Sequence, residues 1–242
     1  MDPLTALAAS GLRARMESLE MLANNLANAG TAGYKTDQEF YALYRAAEAQ
    51  GSDSVMPVIE RPWTDFSQGT LSPTGGQLDV ALEGRGFFAV SGPSGPLYTR
   101  NGSFRLSPAG QLVTADGYAV RSAGGAALTL DSGKTIEIDR DGTVRQDGRV
   151  LGQLEVVDFT STAGLSKQGK TYFQAVGSGV PSARPAGTAV EQGKLEGANV
   201  GTAESAVRLV SVMRQFEMLQ RAVTLGTEMN RRAIEEVARV TS

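Results

Sequence analysis

The sequence predicts an α+β protein: a mainly antiparallel β core domain between long N- and C-terminal α-helices that form a coiled-coil-like helical domain. Three observations predict it. Residues 4–29 and 203–240 both carry apolar residues at heptad spacing. Between them, short apolar alternations are broken by Asn-Gly, Asp-Gly and Gly-Gly pairs, the pattern of hairpin-linked strands. The 29 glycines supply the positive-φ positions that tight turns need.

The N-terminal helix opens on Asp2 and Pro3, a cap followed by a first-turn proline. Leu12, Leu19 and Leu26 fall on one line, with Ala8, Ala9, Met16, Leu22 and Ala23 at neighbouring offsets. Arg15 interrupts the stripe, and Gly30 and Gly33 stop the helix. Asn24, Asn25 and Asn28 admit two readings. They form a polar face and C-terminal turn, or they lock register against neighbouring subunits, since a buried amide penalises slipped packing.

From Phe40 to about Ser72 the chain reads as a connector. It has an aromatic helical piece with Tyr41, Leu43 and Tyr44, a polar stretch from Gln50 to Ser54, and extended backbone marked by Pro62 and Gly69. The core begins near Gly75, where Leu78, Val80 and Leu82 alternate, and continues through successive short strands. A Pro, Gly and Ser loop near Val180 leads to the last helix. There Leu209, Phe216, Val223, Asn230 and Val237 recur every seventh residue, with Val212, Leu219, Gly226, Ala233 and Val240 three residues after each. This makes about five heptads, with Asn230 as the polar, register-setting member of the seam. The competing reading is an amphipathic helix on its own domain's surface. The chain thus divides into an N-terminal helix, 1–35, a connector, 36–74, a β-rich core, 75–185, a return connector, 186–199, and a C-terminal helix, 200–242. The first and last form the helical domain.

Composition removes much chemistry. With no His and no Cys, the usual neutral-pH base, the thiolate nucleophile and the commonest zinc ligands are missing. The net charge of −3 gives no electrostatic reason to expect nucleic acid or an anionic membrane. No apolar run reaches the roughly 18 residues of a membrane span, and the N-terminus lacks the pattern of a cleaved signal peptide. Ile138 to Val144, IDRDGTV, faintly echoes a calcium loop but lacks its remaining ligands and terminal Glu, and so reads as a hairpin turn. Asp65, Asp79, Asp116 and Asp158 show no spacing that pairs carboxylates for hydrolysis. The expectation is a non-enzyme with no catalytic residues, no cofactor and no metal.

Several blocks carry a resemblance: ANNLANAGTAGYK at 23–35, LDVALEGRGFFAV at 78–90, YTRNGSF at 98–104, GQLVTADGYAV at 110–120 and QGKLEGANV at 192–200. In this order and over nearly the whole chain they resemble the bacterial flagellar hook and rod axial proteins. The run Arg214–Met218 is more similar to proximal-rod than to distal-rod members. The resemblance implies a structural subunit of the basal-body rod, the shaft that carries torque across the periplasm to the hook. It implies export through the flagellar type III apparatus without a cleaved signal peptide, a monomer before assembly, and helical stacking with other rod proteins, terminal helices innermost. The implied partners are proximal and distal rod proteins and the export apparatus, with no nucleic acid and no membrane insertion. The residues expected at the assembly interface are Leu12, Leu19, Asn24, Asn25, Leu26, Asn28, Leu209, Phe216, Val223, Asn230 and Val237. Alternatives are another axial component, of distal-rod or hook type, or a secreted coiled-coil β adhesin.

Overall fold

The structure, a computed structural model, describes residues 3–45, 55–177, 181–182, 185 and 187–240. Asp2 and the polar stretch Gln50 to Ser54 lie outside the described residues, as does the side chain of Val237. The chain divides into two compact units: one of residues 1–27, 37–65 and 201–242, the other of residues 28–36 and 66–200. Among the described residues no helix is long and apolar enough to cross a membrane.

The first unit contains α1 (Pro3–Ala27), β1 (Asp37–Arg45), β2 (Val55–Thr64) and, from the far end of the chain, the long C-terminal helix Thr202–Val240. The two strands pair antiparallel, Asp37 opposite Thr64 and Arg45 opposite Val55, with a register shift between Gln38 and Phe40. α1 packs on both the C-terminal helix and β2. Its buried line is Ala14, Ser18, Leu22 and Asn25. Small residues at two of these positions let backbones approach closely, and Gly11 lies opposite Leu219, whose Cδ1 would be 3.8 Å from an added Cβ.

The second unit is built from short antiparallel strands. They are β3 (Leu71–Pro73), β4 (Val80–Glu83), β5 (Phe87–Gly92), β6 (Gly95–Thr99), β7 (Phe104–Leu106), β8 (Leu112–Thr114) and β9 (Ala119–Val120). There follow β10 (Ile136–Ile138), β11 (Thr143–Gln146), β12 (Arg149–Gln153), β13 (Val156–Phe159), β14 (Leu165–Gln168) and β15 (Tyr172–Ala175). The last are β16 (Pro181–Ser182), β17 (Ala189–Gln192) and β18 (Lys194–Glu196). The main sheet has nine strands and runs β14-β15-β6-β5-β9-β8-β7, with β13 joined to β5 and β16 to β13. β10, β11 and β12 form a separate sheet, while β17 pairs β4 and β18 pairs β3.

β5 shows why this unit holds together. Successive strand side chains point to opposite faces, and here both faces are covered. Phe88 and Val90 enter a core with Val80, Leu82, Leu112, Val120, Val144 and Val190. Phe87 and Ala89 enter a second core with Tyr98, Phe159 and Phe173. The second core is lined with edge-to-face rings, Phe66 on Phe173 at 4.9 Å and Tyr98 on Phe159 at 4.8 Å between centroids. Each fully buried large side chain is worth about 1.5–3 kcal/mol relative to exposure.

The turn signals resolve by position. Asp116-Gly117 joins β8 to β9 with Gly117 at φ 88°, and Asp141-Gly142 joins β10 to β11 with Gly142 at φ 82°. The Asp141 carboxylate accepts from the Thr143 amide and hydroxyl, both at 2.8 Å, and Asp139 pairs with Arg145 at 2.7 Å. Asn101-Gly102 is not a hairpin. Gly102 is where backbones meet, its carbonyl taking the Val80 amide at 3.0 Å.

The expected fold class needs correction. Among the described residues the structure is mostly β-sheet with one α-helix toward each end, and no long helices form a coiled coil. A coiled coil would bury Leu12, Leu19 and Leu26, but these are only partly buried beside the fully buried line through Ala14 and Ser18. On the C-terminal helix the seam is sheltered from Leu209 to Val223 and then lost, with Gly226 and Asn230 exposed. The helices also share their unit with a β-hairpin rather than with each other alone. The segment around Tyr41, Leu43 and Tyr44, expected as helix, is strand β1.

Candidate assembly site

Two arrangements stand out. The first is a buried ion cluster in the β unit. Residues 28–36 run through a turn, closed by Thr31 N donating to Asn28 O at 2.9 Å, and pass into the β unit. Gly33 sits at φ 68° with no room for a side chain, since an added Cβ would stand 2.2 Å from the Asn101 amide nitrogen. Its own amide donates to the Glu196 carbonyl at 2.7 Å. Two residues on, Lys35 is wholly buried and its Nζ donates to Glu196 Oε1 and to the Ser67 carbonyl, both at 2.6 Å.

Glu196, also wholly buried, accepts the Gly69 amide on the same oxygen at 2.9 Å. Its second oxygen faces Arg100 Nε at 3.6 Å. Arg100 donates from Nη2 to the Gly84 carbonyl at 2.6 Å and lies over the Phe87 ring. Burial lowers the Arg100 guanidinium from its ordinary value, and the Glu196 and Asp158 charges oppose that shift. Beside the cluster, Asn199 Oδ1 accepts from both the Thr36 amide and hydroxyl at 2.8 Å. Lys167 Nζ donates to the Lys35 carbonyl at 2.8 Å and stands 4.1 Å above the Tyr34 ring. The arrangement welds the stretch after the first helix to the stretch before the last.

The second arrangement is the outer surface of α2, as the C-terminal helix Thr202–Val240 is named here. Val207 (72%), Met218 (61%), Leu225 (59%) and Met229 (64%) are exposed on it, as are Val210 and Met213. Val207, Met218 and Met229 recur about every three turns, so they share one face. A shallow groove on this surface is lined by Val207, Val210, Arg214 and Met218.

The residues expected at the interface divide between inside and outside. Leu12, Leu19 and Leu26 are half-buried on α1, and Leu209, Phe216 and Val223 are half-buried on α2. Asn24 and Asn230 are exposed. Asn25 is buried, its Nδ2 donating to the Asp37 carbonyl at 2.8 Å and its Oδ1 accepting the Asp37 amide at 3.1 Å. Asn28 is buried and its Oδ1 accepts the Thr31 hydroxyl at 3.4 Å. Asn25 thus fastens backbone of its own chain, and Asn28 holds a side chain of its own turn. The scattered aspartates stay apart in their bonding: Asp79 takes Thr74, Asp116 takes Tyr172, and Asp158 pairs with Arg85. Sequence reasoning missed Lys35, Arg100 and Glu196. The available signal was charge inside charge-poor blocks: Lys35 and Arg100 are the sole charged residues of 23–35 and 98–104, and Glu196 shares 192–200 with Lys194 alone.

Those blocks are also where known families match. Residues 7–35 match the model of the flagella basal body rod protein, and residues 81–146 that of the flagellar hook protein FlgE/F/G D1 domain. Residues 191–236 match the model of the flagellar basal body rod FlgEFG protein C-terminal region. The three stretches contain Lys35, Arg100 and Glu196 respectively. Among curated relatives, the flagellar basal-body rod protein FlgG of Buchnera aphidicola subsp. Baizongia pistaciae is 34% identical, over 95% of this chain and 97% of its own. The rod protein FlgF of Caulobacter vibrioides is 30% identical over 92% of both chains. FlgG of Agrobacterium fabrum is 33% identical over 93% of this chain and 95% of its own. With a third of its residues shared end to end with proteins of this kind, the chain belongs to the flagellar basal-body rod protein family.

Proposed function

We propose that the chain is a structural subunit of the flagellar basal-body rod, stacking helically with other rod and hook proteins and carrying torque between motor and hook. The family is structural rather than an enzyme class. The observation that carries the reading is the exposed apolar surface of α2, on a chain whose relatives match over almost their full length. An apolar face of that kind is what a subunit offers to a neighbour, and a head-to-tail contact that does not close extends into a helical array. The expected seam residues Leu12, Leu19, Leu26, Leu209, Phe216, Val223 and Val237, with Asn24 and Asn230, serve this packing. Export through the flagellar type III apparatus, a monomeric form before docking and a position crossing the periplasm belong to the same proposal.

The test is complementation. In a strain deleted for this gene, Met218→Asp combined with Leu225→Asp leaves cells without assembled rods and without motility, while the purified variant melts like the parent. Normal swimming by the variant, or normal flagella in the deletion strain, overturns the reading.

A further inference from the structure

The buried cluster has a property that the assembly surface does not need. Lys35 and Glu196 are fully buried and 161 positions apart in the chain. A buried charge stripped of its partner is among the most destabilising arrangements a protein can hold, so neither segment can settle in the core without the other. Glu196 Oε1 alone gathers Lys35 from one segment and the Gly69 amide from a second. Gly197 N donates to the Thr70 carbonyl at 2.8 Å, tying the same two stretches again. Glu196 Oε2 has no hydrogen bond among the described residues and is held only by the Arg100 charge, while Arg100 Nη1 likewise finds no acceptor. The cluster is therefore balanced by charge more than by saturated hydrogen bonds. The nine-stranded sheet draws its strands from residues 87–182, none of them in the stretches that carry Lys35 and Glu196.

We propose that Lys35, Arg100 and Glu196 form an electrostatic latch that closes last, joining residues 28–36 and 193–199 to an already formed sheet, so that the β unit is completed only when both ends of the chain are in hand. The latch makes completion of the core a late event whichever end becomes available first. Until then residues 28–36, which continue directly from α1, have no buried site to enter. This holds whether or not the helices dock as proposed above, because it concerns the single chain.

Two hydrogen-exchange measurements on the full chain test it. In refolding with pulsed labelling, the amides of Gly33, Gly69 and Gly197 become protected after those of Val90 and Leu112. Protection at the same time or earlier overturns the proposal. At equilibrium, Glu196→Gln and Lys35→Met each speed exchange at Gly33, Gly69 and Gly197 by about 100-fold or more, with the sheet amides little changed. The triple variant Lys35→Met/Arg100→Met/Glu196→Gln, which removes all three charges together and keeps a side-chain oxygen for the Gly69 amide, recovers most of that protection. Equal acceleration across the sheet, or a triple variant as open as the singles, overturns the latch. Should either single variant fail to fold, Arg100→Met carries the same comparison, with the same local opening expected and a parent-like pattern counting against it.

Discussion

The β unit and the helical unit treat apolar residues in opposite ways. In the β unit, Phe87, Phe88, Ala89 and Val90 are all buried by the same chain, on both faces of β5. On α2, Val207, Val210, Met213, Met218, Leu225 and Met229 are exposed. The first arrangement is complete in a monomer. The second leaves apolar area in water that each neighbour would cover at about 25 cal/mol per Å². Chemically similar side chains thus serve stability in one unit and association in the other.

The largest expected effect separates the two directly. Phe88→Ala empties a wholly buried position and costs about 3–5 kcal/mol of monomer stability. Met218→Ala, on the outer face of α2, changes it by no more than about 0.5 kcal/mol. Urea unfolding of the purified chain checks both. Similar losses at the two sites would erase the distinction between a finished core and a waiting surface.

Glycine gives the next contrast. At Gly69 an added Cβ would stand 2.0 Å from the Gly197 carbonyl oxygen, and the neighbour is backbone that cannot swing away. Gly69→Ala is therefore destabilising by about 1–3 kcal/mol. Gly226, within α2, has nothing within 4 Å of the same atom. Gly226→Ala removes chain entropy from the unfolded state and stabilises by about 0.5–1 kcal/mol. Thermal melts showing the same sign for both would break the contrast.

Legibility in the sequence follows the range of the forces involved. The strands of the β unit were readable because alternation and Asp-Gly turns act locally, as at Asp116-Gly117 and Asp141-Gly142. Asn101-Gly102 misled because the same dipeptide also serves where two backbones touch, and the Val80 strand it meets lies far back in sequence. β1 was misread as helix because aromatic residues at short spacing fit either period. The coiled coil failed for a related reason. Heptads report where leucines recur, but the closest packing on α1 uses Ala14 and Ser18, whose small size leaves no apolar signature. The Lys35–Glu196 pair was missed because its two residues lie 161 positions apart, and a charged residue in a charge-poor block hints at burial without naming its partner.

The smallest effect concerns alkaline pH, and it belongs to the β unit. The Tyr172 hydroxyl donates to Asp116 Oδ2 at 2.6 Å and meets the Thr114 hydroxyl at 2.9 Å. Burial first, and then the bond to Asp116, raises its pKa above the ordinary value of 10.0. The unfolded chain thus loses this proton at lower pH than the folded one. The stabilisation is complete below about pH 10 and falls as pH rises from there toward the folded-state value. Tyr98 is shifted the same way, by burial and then by Glu155, so one substitution flattens the alkaline decline without abolishing it. Tyr172→Phe should therefore lose about 1 kcal/mol at neutral pH, from the missing hydrogen bonds, yet lose less than the parent between neutrality and pH 11. Urea midpoints across that range decide it. Parallel curves for parent and variant would mean that Tyr172 keeps its proton no more tightly in the folded core than in the open chain.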